Sequence, residues 1–370
     1  MHLMAAIVRV AEDDGLGLAA VSNQTTERFR RWFWRPPRVH GDVILDRRVS
    51  SLELFYDLVY VVVISQATYQ LAQGITVRSL LEFVVIFSMI VVAWVNGSFY
   101  LELHGREDGR TRALVFVQMG ILAVLAVYTG SAGHEGGQPF AIVYAAFLVV
   151  MTFAWYGVRR QDRRYRPEFL PVTARYQALL IGSLVLLVPS AFLSDDLRLV
   201  VWAVYSTAWL VAFWVLDRLR TTGLPIALTP TDSLVERFGT FTIIVLGEVV
   251  LGVVSGISQG QHDLTTIGTG VVALLVGFGL WWIYFDLVGN RLPRMGHSVV
   301  DWVLSHFPIT LSIAAGGAAV VSLIAHAHEP ATPPETAWLL SGAVALGWSP
   351  RSSRCGPWPT RTGSPRSTGR

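Results

Sequence analysis

The sequence predicts an all-α polytopic membrane protein, a bundle of about ten transmembrane helices whose last helix is short. Of its 370 residues, 52% are apolar and 15% are charged, and the mean hydropathy is +0.49, outside the usual range of soluble chains. Long apolar segments recur and are separated by short connections that hold nearly all the charge. Helical segments of this kind satisfy their own backbone polar groups, as a bilayer requires. No soluble domain is predicted.

Nine segments reach the length of about 20 apolar residues that a helix needs to cross the bilayer, and a tenth is shorter. The predicted spans are about 50–72, 80–101, 112–131, 138–158, 173–193, 197–216, 237–258, 265–287, 302–326 and 336–348. Residues 1–46 are then an N-terminal arm, and residues 47–348 are the transmembrane domain.

The distribution of arginine predicts the orientation of these spans. The N-terminal arm and the connections after spans 2, 4, 6 and 8, counted with the edges of the adjoining spans, hold 22 Arg, whereas the opposite five connections hold 2. Basic residues are retained on the cytoplasmic side of membrane proteins. Both termini are therefore predicted to be cytoplasmic, with the chain in the cell membrane. The Arg run within 159–166 is interpreted as a cytoplasmic loop that faces anionic headgroups.

The two ends of the chain differ in composition from the spans. Residues 26–38 alternate Arg with Trp and Phe, which favours a segment lying on the membrane surface over a nucleic-acid-binding arm. In the tail, residues 349–370, 20 of 22 residues are Ser, Pro, Arg, Gly or Thr, so disorder is predicted. Two interpretations stay open: a genuine disordered tail, or a shifted reading frame that replaced the end of a longer membrane domain. The second is favoured.

Composition also excludes several kinds of chemistry. All 29 basic residues are Arg, which excludes a P-loop and a Schiff-base lysine. The single cysteine, Cys355, excludes disulfides and thiolate metal clusters. His326 and His328 lie in a short segment that is a weak metal pattern, so no metal and no cofactor are predicted. The net charge of +3 arises in the tail, which has five Arg and no acid. The expected partners are the lipid bilayer and an unidentified small solute or ion, not nucleic acid.

Span 1 carries two carboxylates within the membrane. At 100° per residue, Glu53, Asp57 and Tyr60 fall on one helix face, which is expected to point into the bundle. Two carboxylates one turn apart repel each other unless a cation or a proton lies between them. Either they form a structural ion pair, with Arg47 and Arg48 as candidate partners, or they form a proton or cation site.

Span 7 carries the most informative single residue. Glu236 and Arg237 lie at its cytoplasmic edge, and Glu248 lies 12 residues further, about 18 Å along the helix and near the bilayer midplane. An ionisable group at this depth is costly and is a functional candidate by default. The alternative is a neutral acid that is hydrogen-bonded to a neighbouring helix. Gly252 and Gly256 form a small-xxx-small pair, which indicates close helix packing.

Spans 8 and 9 add further candidates at the cytoplasmic side. Trp281, Trp282 and Tyr284 are typical of an interfacial aromatic belt. Asp286 is expected at a depth similar to that of the span 1 acids, so it could join them in one acidic cavity. His306, early in span 9, is either a titratable group or a packed histidine.

An internal repeat is a further hypothesis. Spans 1 and 2 end in a segment with Trp94, Tyr100 and Glu102, and spans 7 and 8 end in the similar aromatic and acidic segment 281–286. Six spans separate the two starts, so the repeat would be parallel. Two six-span halves are then intended, with the second half cut short.

Three segments, residues 52–61 (LELFYDLVYV), 236–248 (ERFGTFTIIVLGE) and 281–286 (WWIYFD), resemble motifs of the low temperature requirement protein A (LtrA) family, in the family's order. The resemblance covers about residues 47–345. It implies a bacterial inner-membrane protein associated with growth in the cold, without an agreed reaction or substrate. The family's last span continues with apolar residues where this chain turns to Ser, Pro and Arg, which supports the frame-shift interpretation.

The favoured functional hypothesis is an ion- or proton-coupled transporter with Glu248, Glu53 and Asp57 as the proton or cation sites. A cation channel is the first alternative, because Phe55-Tyr-Asp57 is similar to the Phe-Ser-Asp signature of a family of six-plus-six-span potassium channels. An intramembrane lipid-modifying enzyme would use the same carboxylates as general acid and base. The absence of an activated nucleophile disfavours an enzyme. A non-catalytic membrane sensor or scaffold is the remaining alternative.

Overall fold

The structure is a computed structural model, and it describes residues 27, 33, 35–42, 47–218, 231–260, 262–289 and 299–348. These residues form ten helices and no strand, which confirms the predicted all-α bundle. The helices are α1 Ser51–Gln73, α2 Val77–His104, α3 Gly109–Thr129, α4 Gly137–Tyr165, α5 Leu170–Ser190, α6 Asp195–Arg218, α7 Asp232–Gln259, α8 Leu264–Ile283, α9 Val299–Ala325 and α10 Pro334–Gly347. A 3-10 turn, Pro167–Phe169, precedes α5, and α8 continues into a π-helical turn, Tyr284–Gly289.

Within these described residues, nine helices, α1 to α9, are long and apolar enough to cross a membrane. The tenth, α10, has 14 residues and is shorter than a span, as the sequence predicts. Large apolar side chains cover the outside of the bundle, among them Val127, Phe153, Phe192 and Leu264. A surface of this kind suits a hydrocarbon solvent and would be an aggregation liability in water.

The helices α2 and α9 are the most buried of the nine. The neighbours of α9 include α7, α10, α1 and α8, and those of α2 include α1 and α6. On the other side of the bundle, α4 packs between α3 and α5. The first turn of α1 therefore lies beside the last turn of α2 and the first turn of α7, and this juxtaposition positions the candidate site.

Local sequence signals explain where the helices start and stop. An oxygen-bearing N-cap side chain accepts a backbone N–H in the first turn of α1, α2, α3, α7 and α8. These N-cap residues are Ser50, Thr76, Asp108, Thr231 and Asp263. Glycine follows the last residue of α1, α2, α3 and α7.

One predicted loop is wrong. The Arg-rich segment within 159–166 was expected to be a loop, but α4 continues through it to Tyr165. Arginine is a good helix former, so nothing in the segment stops the helix before Pro167. With 29 residues, α4 is about 43 Å long, and its last turns extend beyond a hydrocarbon core about 30 Å thick.

Several other predictions are not tested by the structure. The tail, residues 349–370, and most of the arm, residues 1–46, lie outside the described residues, so their predicted disorder and surface location are untested. The interpretation as a shifted reading frame also concerns undescribed residues. The domain boundaries, the parallel six-plus-six repeat and the cytoplasmic orientation of the termini stay predictions.

The close helix packing that Gly252 and Gly256 indicate is confirmed between α7 and α9. A Cβ atom built on Gly252 would lie 2.7 Å from the carbonyl oxygen of Gly317, and one on Gly256 would lie 2.8 Å from Cβ of Ile324. Gly317 in turn faces the backbone of Glu248, with its Cβ position 3.0 Å from that carbonyl oxygen. Small residues on both helices therefore let the two backbones approach each other at the level of Glu248.

We expect Gly252→Ala to destabilise the bundle by about 1–3 kcal/mol, because the added methyl group meets backbone atoms that cannot rotate away. Thermal unfolding of the purified protein in detergent measures this effect. Gly247→Ala is the matched control on the same helix, since a Cβ atom there has no neighbouring atom within 4 Å among the described residues. Equal unfolding temperatures for the two variants would contradict the close approach of α7 and α9.

Candidate proton- or cation-binding site

The polar face of α1 points into the bundle, as predicted. Glu53, Asp57, Tyr60 and Ile64 are all buried, and Asp57, Tyr60 and Ile64 are fully inaccessible. The hydroxyl groups of Tyr60 and Tyr56 lie 3.1 Å apart. The helical spacing of these residues thus identified a buried polar stripe rather than a solvated surface.

Arg237 of α7 is the counter-ion of both carboxylates of this stripe. Its Nη2 atom donates to Oδ1 of Asp57 at 3.0 Å, and its Nη1 atom lies 3.5 Å from Oε2 of Glu53. The guanidinium group is 1% exposed and lies over the ring of Tyr56, 5.6 Å from its centroid. Trp94 donates its indole N–H to the same Asp57 oxygen at 2.8 Å. Arg237 lies in the second turn of α7, near the predicted membrane edge, but its side chain is enclosed by the neighbouring helices and not exposed.

Glu53 connects these ion pairs to two further charged residues, Arg47 and Glu102. The Arg47 guanidinium donates to Oε1 of Glu53 at 2.6 Å and to the carboxylate of Glu102 at the end of α2. Hydroxyl groups of Thr231 and Ser233, at the start of α7, also donate to Glu102. Three chain segments that are distant in sequence are therefore joined at one end of the bundle.

We call these five ionisable side chains, Arg47, Glu53, Asp57, Glu102 and Arg237, the ionic network. It holds three carboxylates and two guanidinium groups, so one negative charge is unbalanced when all five are ionised. Within the part of the chain that the structure describes, Oδ2 of Asp57 is buried without a hydrogen-bond partner. The structural ion pair of the first interpretation is therefore present. Arg47 is its partner from the arm side, whereas Arg48 is exposed.

Glu248 lies in different surroundings. It is 3% exposed and lies in the middle of α7, a helix of 28 residues. The hydroxyl group of Ser65, on α1, donates to its Oε1 atom. Among the described residues, no basic side chain forms an ion pair with it. Of the four acidic candidates, Glu248 alone is therefore both buried and without a cationic partner in the described part of the chain.

Asp286 does not join the ionic network, contrary to the expectation from its predicted depth. Its side chain is exposed, and its carboxylate accepts the indole N–H of Trp282 one turn earlier. Trp281 and Trp282 are themselves exposed on the outside of the bundle. This arrangement fits the interfacial aromatic belt. Glu236 is exposed as well, because the helical period places it away from the buried face that carries Arg237.

Tyr284 and His306 form a separate buried pair. The Tyr284 hydroxyl lies 3.1 Å from Nε2 of His306, and Nδ1 of the same ring lies 2.7 Å from the carbonyl oxygen of Trp302. A carbonyl oxygen can only accept, so Nδ1 carries a hydrogen and Nε2 of the neutral ring accepts from tyrosine. The ring also packs against Phe238 and Trp302. His306 thus has the environment of a packed histidine.

A family model described as bacterial low temperature requirement A protein (LtrA) matches residues 48–348. This match covers most of the chain and includes all ten helices, from α1 to α10. The chain belongs to the LtrA family. Family membership and the nine membrane-length helices together make it an integral membrane protein with multiple spans.

This LtrA family member is also similar to a curated protein, "Uncharacterized protein RA0937" of Rhizobium meliloti (strain 1021). The two chains are 28% identical over 249 residues, which are 64% of this chain and 58% of that protein. The match therefore spans less than two thirds of the relative's length. No solved structure matches this chain.

The described part of the arm in this LtrA family member is bound to the end of the bundle that carries the ionic network. The guanidinium group of Arg38 donates to the carbonyl oxygens of Gly105, at 2.7 Å, and of Glu102, and so caps the end of α2. Burial, followed by the nearby charge of Arg47, lowers the pKa of Arg38 below the usual arginine value. Next to it, Nδ1 of His40 lies 2.9 Å from Oδ2 of the fully buried Asp162 on α4. We call this end of the bundle the arm end.

At the opposite end of the bundle, His326 and His328 each have an acidic neighbour. Nε2 of His328 lies 3.2 Å from Asp263, and Nε2 of His326 lies 3.8 Å from Glu329. Within the described residues, no group of three or more such side chains is arranged to hold a metal ion.

Three residues of the site, Ser65, Trp94 and Glu102, are not predicted as site residues from the sequence. Trp94 and Glu102 belong to the predicted repeat only, although an acid at the end of a long apolar helix is a usable signal. Ser65 carried no such signal, because serine is common in membrane helices and its partner Glu248 is 183 residues away.

Proposed function

We propose that this LtrA family member is a proton- or cation-coupled transporter and that Glu248 is its coupling site. The observation that supports this proposal is the contrast between the acids. Glu53 and Asp57 face guanidinium groups, whereas Glu248 is buried with a serine hydroxyl as its partner. A buried carboxylate without a cation is unfavourable by several kcal/mol, so it gains most from binding a proton or a metal cation.

The position of Glu248 is also suited to alternating access. It lies on α7 where that helix packs closely on α9, and it contacts α1 through Ser65. Binding or loss of one positive charge there changes the hydrogen bonding between α1 and α7. A small change at such a packed contact can bias two arrangements of the helices. In this proposal the ionic network holds α1, α2 and α7 together at the arm end.

A proton-flux assay tests the proposed function. Purified protein is reconstituted into vesicles that contain a pH-sensitive dye, a pH step is imposed with the membrane potential clamped, and lipid-only vesicles serve as the control. We expect proton movement above the control in at least one of two conditions, with and without an imposed metal cation gradient. Flux at the lipid-only level under both conditions would contradict a transporter.

The same vesicles distinguish a carrier from a cation channel, the first alternative function. A carrier saturates as the driving ion concentration rises, whereas a channel passes current in proportion to the driving force without a co-substrate. We expect saturation, because the candidate site is one enclosed carboxyl group rather than a water-filled row of sites. For an intramembrane enzyme, the general acid and base would have to be Glu53 and Asp57, which are already engaged by Arg47 and Arg237.

A further inference from the structure

A pocket of about 340 Å³ lies at the arm end, between the described part of the arm and the last turns of α4. Four arginines line it: Arg35 of the arm, Arg110 of α3, and Arg160 and Arg164 of α4. No acidic side chain of the described residues lines it. A pocket of this size, with four guanidinium groups and no acidic side chain among its described lining residues, is suited to an anion.

One wall of the pocket is a face of α4 that is aromatic towards the middle of the helix and basic towards its end. Phe153, Tyr156, Arg160 and Arg164 recur at intervals of three or four residues and so lie on one face of the helix. Phe153 and Tyr156 are 68% and 56% exposed. From Phe153 to Arg164 the helix rises about 16 Å. The aromatic part lies in the predicted span, and the arginines lie beyond it, so the pocket crosses the predicted membrane boundary.

Gly157 leaves room for one of the arginines of this pocket. A Cβ atom at position 157 would lie 2.6 Å from Nη2 of Arg110, so a larger residue would displace the end of this flexible side chain. Arg110 donates to the carbonyl oxygen of Arg35, and Pro36 and Pro37 close the arm side. Arginines from three segments therefore converge on one space, which differs from a row of basic residues along a single helix.

We infer that this pocket binds the phosphate group of an anionic phospholipid, with the guanidinium groups on the phosphate and the lipid chains along Phe153 and Tyr156. Guanidinium groups pair with phosphate oxygens through parallel N–H donors. An amphiphile fits the boundary position better than a free ion, since a free phosphate would leave the aromatic part of the wall unused. The inference does not depend on the proposed transport function.

Native mass spectrometry of the full-length protein in neutral detergent at physiological ionic strength tests this inference. Phosphatidylglycerol and phosphatidylcholine are titrated separately, with glycerol phosphate and inorganic phosphate as competitors. We expect phosphatidylglycerol to bind at least tenfold more tightly than phosphatidylcholine. Arg160→Gln and Arg164→Gln should each weaken this binding by about tenfold, because each removes one charge-assisted pair.

Arg163→Gln is the matched control, because Arg163 is exposed on the same turn of α4 but does not line the pocket. We expect it to change phosphatidylglycerol binding by less than twofold. An equal loss in Arg163→Gln would contradict the pocket and would indicate diffuse attraction to the basic surface. Displacement of the lipid by an equal concentration of glycerol phosphate or inorganic phosphate would contradict a lipid ligand. Each variant is checked for an unchanged unfolding temperature, so a folding defect is separated from a binding defect.

Discussion

Arg237→Gln is expected to remove a large part of the stability of the fold. The substitution leaves Asp57, which is fully buried, and Glu53, 7% exposed, without the guanidinium group that faces both. Breaking a buried ion pair from one side costs about 3–5 kcal/mol. This is a large part of the net stability of about 5–15 kcal/mol that is typical of folded proteins. Unfolding in detergent should therefore begin at a much lower temperature, and the yield of monodisperse protein should fall.

Two further variants make this prediction specific to the ion pair. Arg48→Gln removes the same charge from an exposed position three residues before the start of α1, so it should change stability by less than about 0.5 kcal/mol. The double variant Asp57→Asn with Arg237→Gln removes both partners and should recover much of the lost stability. If Arg237→Gln alone unfolds at the same temperature as the wild type, the ionic network does not hold α1 to α7.

Glu248→Gln is expected to abolish proton or cation flux while the protein stays folded. Glutamine has nearly the same shape and can still accept the hydrogen bond from Ser65, but it neither takes up nor releases a proton at ordinary pH. Flux through reconstituted vesicles should fall to the lipid-only level. The unfolding temperature should be equal to that of the wild type or higher, because the variant no longer buries an ionisable group.

Glu236→Gln is the control for this variant, since it makes the same chemical change on the same helix at an exposed position. It should retain wild-type flux. Glu248→Asp keeps an ionisable group but shortens the side chain by one methylene, so it should retain flux at a reduced rate. Wild-type flux in Glu248→Gln would contradict the assignment of the coupling site, even if the chain proved to be a transporter.

The bundle itself could be predicted well because one physical requirement determines it. A helix that crosses a bilayer needs a long apolar segment, and the nine segments that met this requirement all became helices of membrane length. The buried face of α1 was equally predictable, since helical periodicity alone places Glu53, Asp57 and Tyr60 together. Periodicity acts within one helix and is visible in the sequence.

The contacts between helices were not predictable in the same way. Arg237 and Asp57 are 180 residues apart, and nothing local distinguishes an arginine that enters the bundle from one that stays at its edge. For the same reason Asp286 was expected in the acidic cavity, although its helix turns it outward towards Trp282. Depth in the membrane follows from sequence position, but the direction in which a side chain points depends on which helices pack against it.

The end of α4 shows a different limit. A dense run of arginines was interpreted as a loop because charge usually marks the end of a span. Charge ends the apolar segment but not the helix, and α4 continues to Tyr165. This extension positions Arg160 and Arg164 over the arm and creates the pocket proposed to hold a lipid phosphate.

The most direct test of Glu248 as the coupling site is its labelling by a hydrophobic carbodiimide, which modifies protonated carboxyl groups in apolar surroundings. The protein is labelled in its membrane at a series of pH values, and the modified residue is located by mass spectrometry of peptides. We predict that Glu248 is labelled at low pH, that its labelling falls as the pH rises, and that Asp57, paired with Arg237, stays unlabelled. Absence of label on Glu248 at every pH, or label on Asp57 in its place, would contradict a carboxyl group at Glu248 that exchanges a proton with the solution.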